Sequence, residues 1–364
     1  MILKYKKILL LGNTRSTDEG VPGIPGVPVI LISMETFNWI QYLNNYSDLR
    51  AAGIKDKQGA YKHYLKYGKT EFRTDTNIKR KIYLTTNVRD EKNLKEWVDY
   101  HILLGFEHIL IVDHLSIIPV SEILKNSIHI GKITIKRYEV STGKIKSDII
   151  KKIVIPFVTE NKCDMFIHLD ADEYVYLKNH TNIVEYINYI NGWGKQIVFY
   201  WLLFGSNYLM YAPPNNSLIY NYNRCTYGKS MYANHIVGKC MVDPKILDIK
   251  TINNKDVLYP HSWYVTKNAS VVDVNGNIVK LDNMCRILNN STKVNINDNA
   301  YIYHYELQCW ETYYLRKISR NRDDINCKYT DLIYDKKIFD SYYNEIVNNN
   351  IIDLYNKLKI LTKN

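Results

Sequence analysis

Several things are missing from this sequence, and each absence narrows what the chain can be. No apolar run reaches the ~20 residues that a membrane-spanning helix needs. The run Ile8-Leu9-Leu10-Leu11 is too short for the core of a signal peptide. A soluble cytoplasmic protein is therefore expected. The six cysteines, at positions 163, 225, 240, 285, 309 and 327, form no CxxC pair and no zinc-finger spacing. That argues against a structural zinc site. Cys163 stands at the edge of an apolar run, where a free thiol behaves as a small hydrophobe, as suits a reducing compartment. The net charge is +11, yet no long basic run occurs, and Lys79-Arg80-Lys81 and the lysines of 144–152 are short clusters. They read as solvated surface, so no nucleic-acid partner is expected. Residues 20–28, GVPGIPGVP, hold three Gly-X-Y triplets, too few for a collagen triple helix and suited to an extended linker.

What is present is enough for a large core. Hydrophobic residues make up 46% of 364, ordinary for a globular chain. The 32 tyrosines accompany abundant Ile, Asn and Lys, a bias that fits an AT-rich genome and is no evidence of function. Residues 36–73 place aromatic and Leu residues at helical spacing, with Gly53 and Gly68 as stops. The main pattern begins near Lys81. Strands are predicted at 82–88, 108–114, 133–140, 165–169 and 197–206, and helices at 90–104 and 144–160. Helix-like stretches at 307–320 and 336–361 close the chain. The alternation of strand and helix predicts a mostly parallel sheet covered by helices.

The most informative segment is HLDADEYVYL, 168–177. An apolar run ends abruptly in Asp170-Ala171-Asp172-Glu173. Three acids at the end of a buried strand are costly unless something positive lies against them. In a parallel α/β sheet the carboxyl ends of the strands are where ligands bind. Carboxylates at i and i+2 across a turn can reach one hard divalent cation, which in turn can hold a diphosphate. The segment points to a metal-dependent enzyme acting on a phosphate-bearing substrate.

The order of motifs resembles glycosyltransferase family 92 and its bacterial and viral relatives over about residues 82–322. The segment 85–116 resembles their strand, KNE, EW..YH helix and LG, followed by a strand ending in D..S. HLDADEY is similar to their D.DE strand, and WLLFGSN (201–207) to W..FGS. KCMVDP (239–244), YPHSW (259–263) and the segment 302–320 come next in order. Two elements depart: KNE is Arg89-Asp90-Glu91 here, and KS before the last helix is Gln308-Cys309. Residues 36–73 in turn resemble small helical modules found beside larger domains, with Phe72 where that pattern has Gly.

The family resemblance implies a GT-A fold, an α/β sandwich with a nucleotide-binding sheet, preceded by a small α-helical module. The expected divisions are an N-terminal segment with the Gly-X-Y linker (1–30), the helical module (31–79), the transferase domain (80–330) and a C-terminal helical segment (331–364). It also implies transfer of a sugar, with inversion, from a nucleoside diphosphate sugar such as a UDP-sugar to an acceptor hydroxyl on a glycan or protein. Mn²⁺ or Mg²⁺ would be held by Asp170, Asp172 and His304, with His261 as the competing histidine. Glu173 would support the site or start a helix. Thr86, Arg89, Glu91, Asp113 and Lys239 would contact the nucleotide and its phosphates. Trp201, Phe204, Gly205 and His261 would shape the sugar pocket, and Trp97 reads as core. Inversion needs a carboxylate base, for which Asp243 and Glu306 are candidates by position. A non-catalytic glycan or nucleotide binder on the same fold is the alternative. A metal-dependent phosphodiesterase ranks below both, because such sites gather more His and Asp.

Overall fold

The computed structural model describes residues 32–46, 49–50, 52–68, 71, 73–76, 79–226, 238–255, 261–281, 298–319 and 332–362. The Gly-X-Y linker lies outside them. The strands are β1 (Ile82–Val88), β2 (His108–His114), β3 (Ile133–Tyr138), β4 (Met165–His168), β5 (Glu173–Leu177), β6 (Gln196–Leu203), β7 (Arg224–Cys225), β8 (Gly238–Val242), β9 (Val271–Asp273), β10 (Ala300–His304) and β11 (Ile346–Val347). The fold is mixed α/β. Its large, mostly parallel sheet runs β3-β2-β1-β4-β8-β6-β10-β5, with β9 added to β6. β8 and β5 are the antiparallel members.

β1, β2 and β4 are almost wholly buried, as expected of strands covered on both faces by helices. Their side chains form one core with Trp97, Val98, Ile149, Val154 and Val158 from the covering helices. The helical stretch 145–160 opens into a wider turn at Ile150–Val154, just ahead of Pro156. A proline inside a helix lacks an N–H and crowds the preceding turn, which this widening relieves.

Two predicted elements come out differently. Glu173 starts a strand, not a helix. The stretch 336–361 is two helices, Lys336–Asp340 and Asn350–Leu361, with β11 between them paired to β7. The break falls at Tyr343, whose φ of 58° is left-handed, and at Asn344, whose buried amide donates to Asp340 O and Tyr342 O. The last helix is no appendage, since Ile351, Leu354, Tyr355 and Leu358 belong to the main core. Residues 37–64 of the helical module have their own small core around Phe37, Tyr42, Leu43 and Tyr64.

Candidate functional site

The topology places the acidic turn at the carboxyl end of β4, between strands that run both ways. β8 is antiparallel to β4, with Ile167 opposite Met241, so the start of β8 delivers Lys239 beside Asp170. Gly238 lets β8 come this close to β6, because a Cβ there would lie 1.6 Å from Phe199 O. β10 is antiparallel to β5, with His304 opposite Glu173, so the end of β10 delivers His304 beside Asp172.

Each acid meets a cation. Asp170 accepts from Lys146 Nζ at 3.1 Å and from Lys239 Nζ at 2.8 Å. Lys239, 1% exposed, also lies 3.2 Å from Glu173 Oε2. Glu173 is fully buried, and its other oxygen accepts from Trp201 Nε1 at 2.7 Å. Asp172 accepts from Arg316 Nη2 at 2.8 Å, and its second oxygen faces His304 Nε2 at 3.8 Å. Burial alone would raise the Asp170 carboxyl, but the two ammoniums outweigh it and hold the group well below the usual range. Asp172 is lowered in the same way, with Arg316 and then His304 overcoming burial. In Glu173 burial wins and the carboxyl is raised. Burial would lower Lys239, yet Asp170 and Glu173 raise it, so it stays charged.

The other predicted residues divide into near and far. Trp201 is half-buried between His261 and His304, with ring centroids 5.1 and 4.7 Å away. His261 Nδ1 bonds Gly238 O at 2.7 Å, and burial, with Lys239 beside it, pushes its pKa down to about 3. Glu306 lies two residues beyond His304, 3.5 Å from Lys317, with 37% of its side chain exposed. Glu91 and Arg89 come just after β1, both half-buried. Thr86 is fully buried within β1.

Asp113 is used by its own loop, accepting from Ser116 N, Val120 N and Arg137 Nη1. Lys239 serves the carboxylates rather than standing open to a phosphate. Phe204 is fully buried against Tyr303 and Tyr305, a core position. Gly205 does permit a close backbone approach, but to Tyr342 O and Asn344 rather than to a sugar. Asp243 sits at the opposite end of the sheet, because β8 runs antiparallel. It caps the turn at Pro244–Ile246 by accepting from Lys245 N at 2.8 Å.

Other functional side chains escaped sequence reasoning. Lys146 lay in a cluster read as solvated surface. Arg316 lay inside the segment 302–320 without being singled out. Beside Arg316 opens a cavity of about 700 Å³. Its walls come from residues 90–93 after β1, from Ile117 and Ile118 after β2, and from the segments 212–222 and 308–316. The first two walls are tied together: Asp90, at φ 58°, accepts from Ile117 N at 2.7 Å. Asp and Asn are the side-chain-bearing residues that tolerate this conformation best. Asp90 can therefore stand where the KNE pattern has Asn.

The donor set at the turn suits a divalent cation only in part. Among the described residues no three His, Cys, Asp or Glu side chains converge as ligands. In phosphate chemistry such an ion takes one or two carboxylates, with water and phosphate oxygens filling the rest. Asp172 and His304 fit that requirement: they face each other, and Arg316 occupies the other oxygen of Asp172. Asp170 does not, since both its oxygens are held by lysines.

No protein-family model and no curated protein matches this chain. The resemblance to family 92 therefore has no such match behind it. Among solved structures the chain is similar to a TarS fragment (residues 1–349) from S. aureus, at 12% identity and a TM-score of 0.30. That match covers 62% of this chain and only 60% of that one. The same fragment in complex with UDP is matched over 50% of each chain, at 11% identity and a TM-score of 0.28. Glucosyl-3-phosphoglycerate synthase from Mycobacterium tuberculosis, with Mn²⁺, UDP and glucosyl-3-phosphoglycerate, is matched at 10% identity and a TM-score of 0.26. That match covers 54% of this chain and 70% of the synthase. Scores this low leave the functional reading to the geometry of the site itself. Among the described residues no helix is long and apolar enough to cross a membrane.

Proposed function

We propose that this protein is a GT-A glycosyltransferase that moves a sugar from a nucleoside diphosphate sugar, a UDP-sugar, to an acceptor hydroxyl on a glycan or protein, with inversion. One observation carries the reading. Asp172, His304 and Arg316 meet at the carboxyl end of the sheet, and Arg316 also lines the adjoining cavity.

In transfer, the bond from the anomeric carbon to the diphosphate oxygen breaks and a bond to the acceptor oxygen forms. A Mn²⁺ or Mg²⁺ ion held by Asp172 and His304 would neutralise the departing diphosphate. Arg316, its side chain 27% exposed, adds a fixed positive charge at the same place. Lys146 and Lys239 hold Asp170 and so fix the turn. Trp201 offers a half-buried ring beside the acids, a surface for the sugar. Glu306 is the proposed base that takes the proton of the acceptor hydroxyl. Burial would raise it, but Lys317 and His304 lower it, so it is ionised at neutral pH, as a base must be.

The test is Asp172→Asn, assayed for turnover of UDP-sugars with Mn²⁺ present. Loss of a transition-state charge contact predicts a fall of about 100-fold or more in kcat, with an unchanged circular dichroism spectrum. Full activity in the variant, together with indifference to EDTA, would overturn the reading. The locked state of Asp170 favours a second reading, a nucleotide or glycan binder without turnover. Binding of UDP without hydrolysis or transfer of any UDP-sugar would select it.

A further inference from the structure

Among the described residues β5 lies at the edge of the sheet, with no strand paired to one side of its backbone. An unpaired buried backbone group is costly. Here side chains of the helix Leu94–Leu103 and its preceding residue take the place of a strand. Asn93 Nδ2 donates to Ala171 O at 2.8 Å, and Trp97 Nε1 donates to Glu173 O at 2.8 Å. Farther along β5, Tyr100 OH donates to Val175 O at 2.6 Å, while Val175 N donates to His101 Nε2 at 3.3 Å. His101 is fully buried, and burial pushes its pKa down to about 3, so its Nε2 is free to accept while Nδ1 donates to Trp97 O. From the other side, Tyr305 N donates to Asp172 O at 2.9 Å.

Three consecutive carbonyls, of Ala171, Asp172 and Glu173, are therefore each held by a donor from a different residue. Such an arrangement fixes the direction in which the Asp172 carboxylate leaves the chain. Asn93 shows where its amide is spent. It stands at the N-cap of the helix, yet its side chain makes no capping bond. Its Nδ2 is directed to the acidic turn.

We infer that Trp97 is a positioning residue: its indole N–H holds the backbone of the acidic turn so that Asp172 points at the bound diphosphate. This rests on the proposed glycosyl transfer. Trp97 itself is fully buried and offers no surface to a substrate. Helical spacing of apolar residues places its ring in the core and leaves its N–H unaccounted for.

Two variants separate positioning from general packing. Trp97→Phe keeps an aromatic ring and removes the donor to Glu173 O. Tyr100→Phe removes an equally buried donor, to Val175 O, two residues farther from the turn. Each leaves one carbonyl without its bond, and Trp97→Phe also leaves a cavity. A merely structural role therefore lowers the melting temperature of Trp97→Phe further, but affects binding and hydrogen exchange at the turn, both measured well below the transition, alike in the two. Positioning instead predicts that Trp97→Phe weakens UDP binding in the presence of Mn²⁺ by about tenfold in calorimetry, and Tyr100→Phe by less than about twofold. Hydrogen exchange at the amides of 171–173 should accelerate in Trp97→Phe and not in Tyr100→Phe. Equal effects of the two variants in both measurements overturn the inference. If the wild-type protein binds no UDP, the glycosyl-transfer reading from UDP fails, and hydrogen exchange alone decides whether Trp97 positions the turn.

Discussion

The two ends of the central strands carry acids of opposite character. At the carboxyl end, Asp170, Asp172 and Glu173 are paired with cations drawn from far along the chain: Lys146, Lys239 and Arg316. At the amino end, Asp164 meets Arg80 and the Lys81 N–H at the surface, and Asp243 caps its own turn two residues ahead. The part-exposed contacts at the amino end are what a fold uses to finish strands and start turns. The buried Lys239–Glu173 pair at the carboxyl end is unfavourable by desolvation unless it is complete, and well-packed apolar residues would serve stability as well or better. Three acids and three cations gathered at one edge of the sheet are thus a costly way to gain stability, which is why the proposed chemistry is placed there.

The sharpest test of this asymmetry is acid titration. His101 and His168 are fully buried. Burial lowers both pKa values to about 3, helped at His168 by Lys146 and Lys239. Unfolded histidines titrate near 6.5. The folded state thus binds fewer protons between these limits, and the stability this represents is complete above about pH 6.5 and lost as pH falls toward 3. With His261, held at about 3 by its burial and Lys239, three such groups give a slope of up to ~4.1 kcal/mol per pH unit in urea unfolding. Asp243 works in the other direction, since burial raises its carboxyl and the folded state takes up that proton first. His168→Gln should reduce the acid slope by about a third. A slope that persists unchanged would place the acid sensitivity elsewhere in the molecule.

A smaller effect, but one aimed directly at the charged end, comes from Lys239→Met. The change leaves Asp170 and Glu173 without the one ammonium they share. Breaking a buried pair in this way costs ~3–5 kcal/mol, read as a lower urea midpoint at unchanged slope. Lys146, with 15% of its side chain exposed, pairs with Asp170 alone among the described residues and should cost less on the same substitution. If Lys239→Met were no more damaging than the loss of a surface pair, the contrast between the two ends would disappear.

How much of this was legible in the sequence depends on distance along the chain. β1 and β2 appear at their predicted bounds, because a run such as IYLTTNV signals a buried strand within itself. The acidic turn was legible too, as was the need for positive charge against it. Which cations would answer was not. Lys146 and Arg316 are 24 and 144 residues from their partners, and only the sheet order brings them together. Strand direction misled in one place. Asp243 comes four residues after Lys239 and looked equally eligible, but an antiparallel β8 carries the two to opposite ends of the sheet. The indole of Trp97 was hidden for a further reason: apolar spacing reports the face of a helix that is buried and says nothing of the polar atom within it.

The smallest expected effect completes the comparison from the quiet side. Asp243 accepts one backbone bond, from Lys245 N, as an N-cap. Losing such a cap costs ~1 kcal/mol. Asp243→Ala should lower the urea midpoint by that amount. Turnover or nucleotide binding should be unaltered within about twofold, since β8 carries the residue to the end of the sheet opposite the acidic turn. A large loss of activity without a matching loss of stability would mean that the amino end takes part in the chemistry. It would also return Asp243 to contention as the base, in place of Glu306. Unchanged activity leaves Glu306 as the acid two residues from His304, at the end of the sheet where the charges have been assembled.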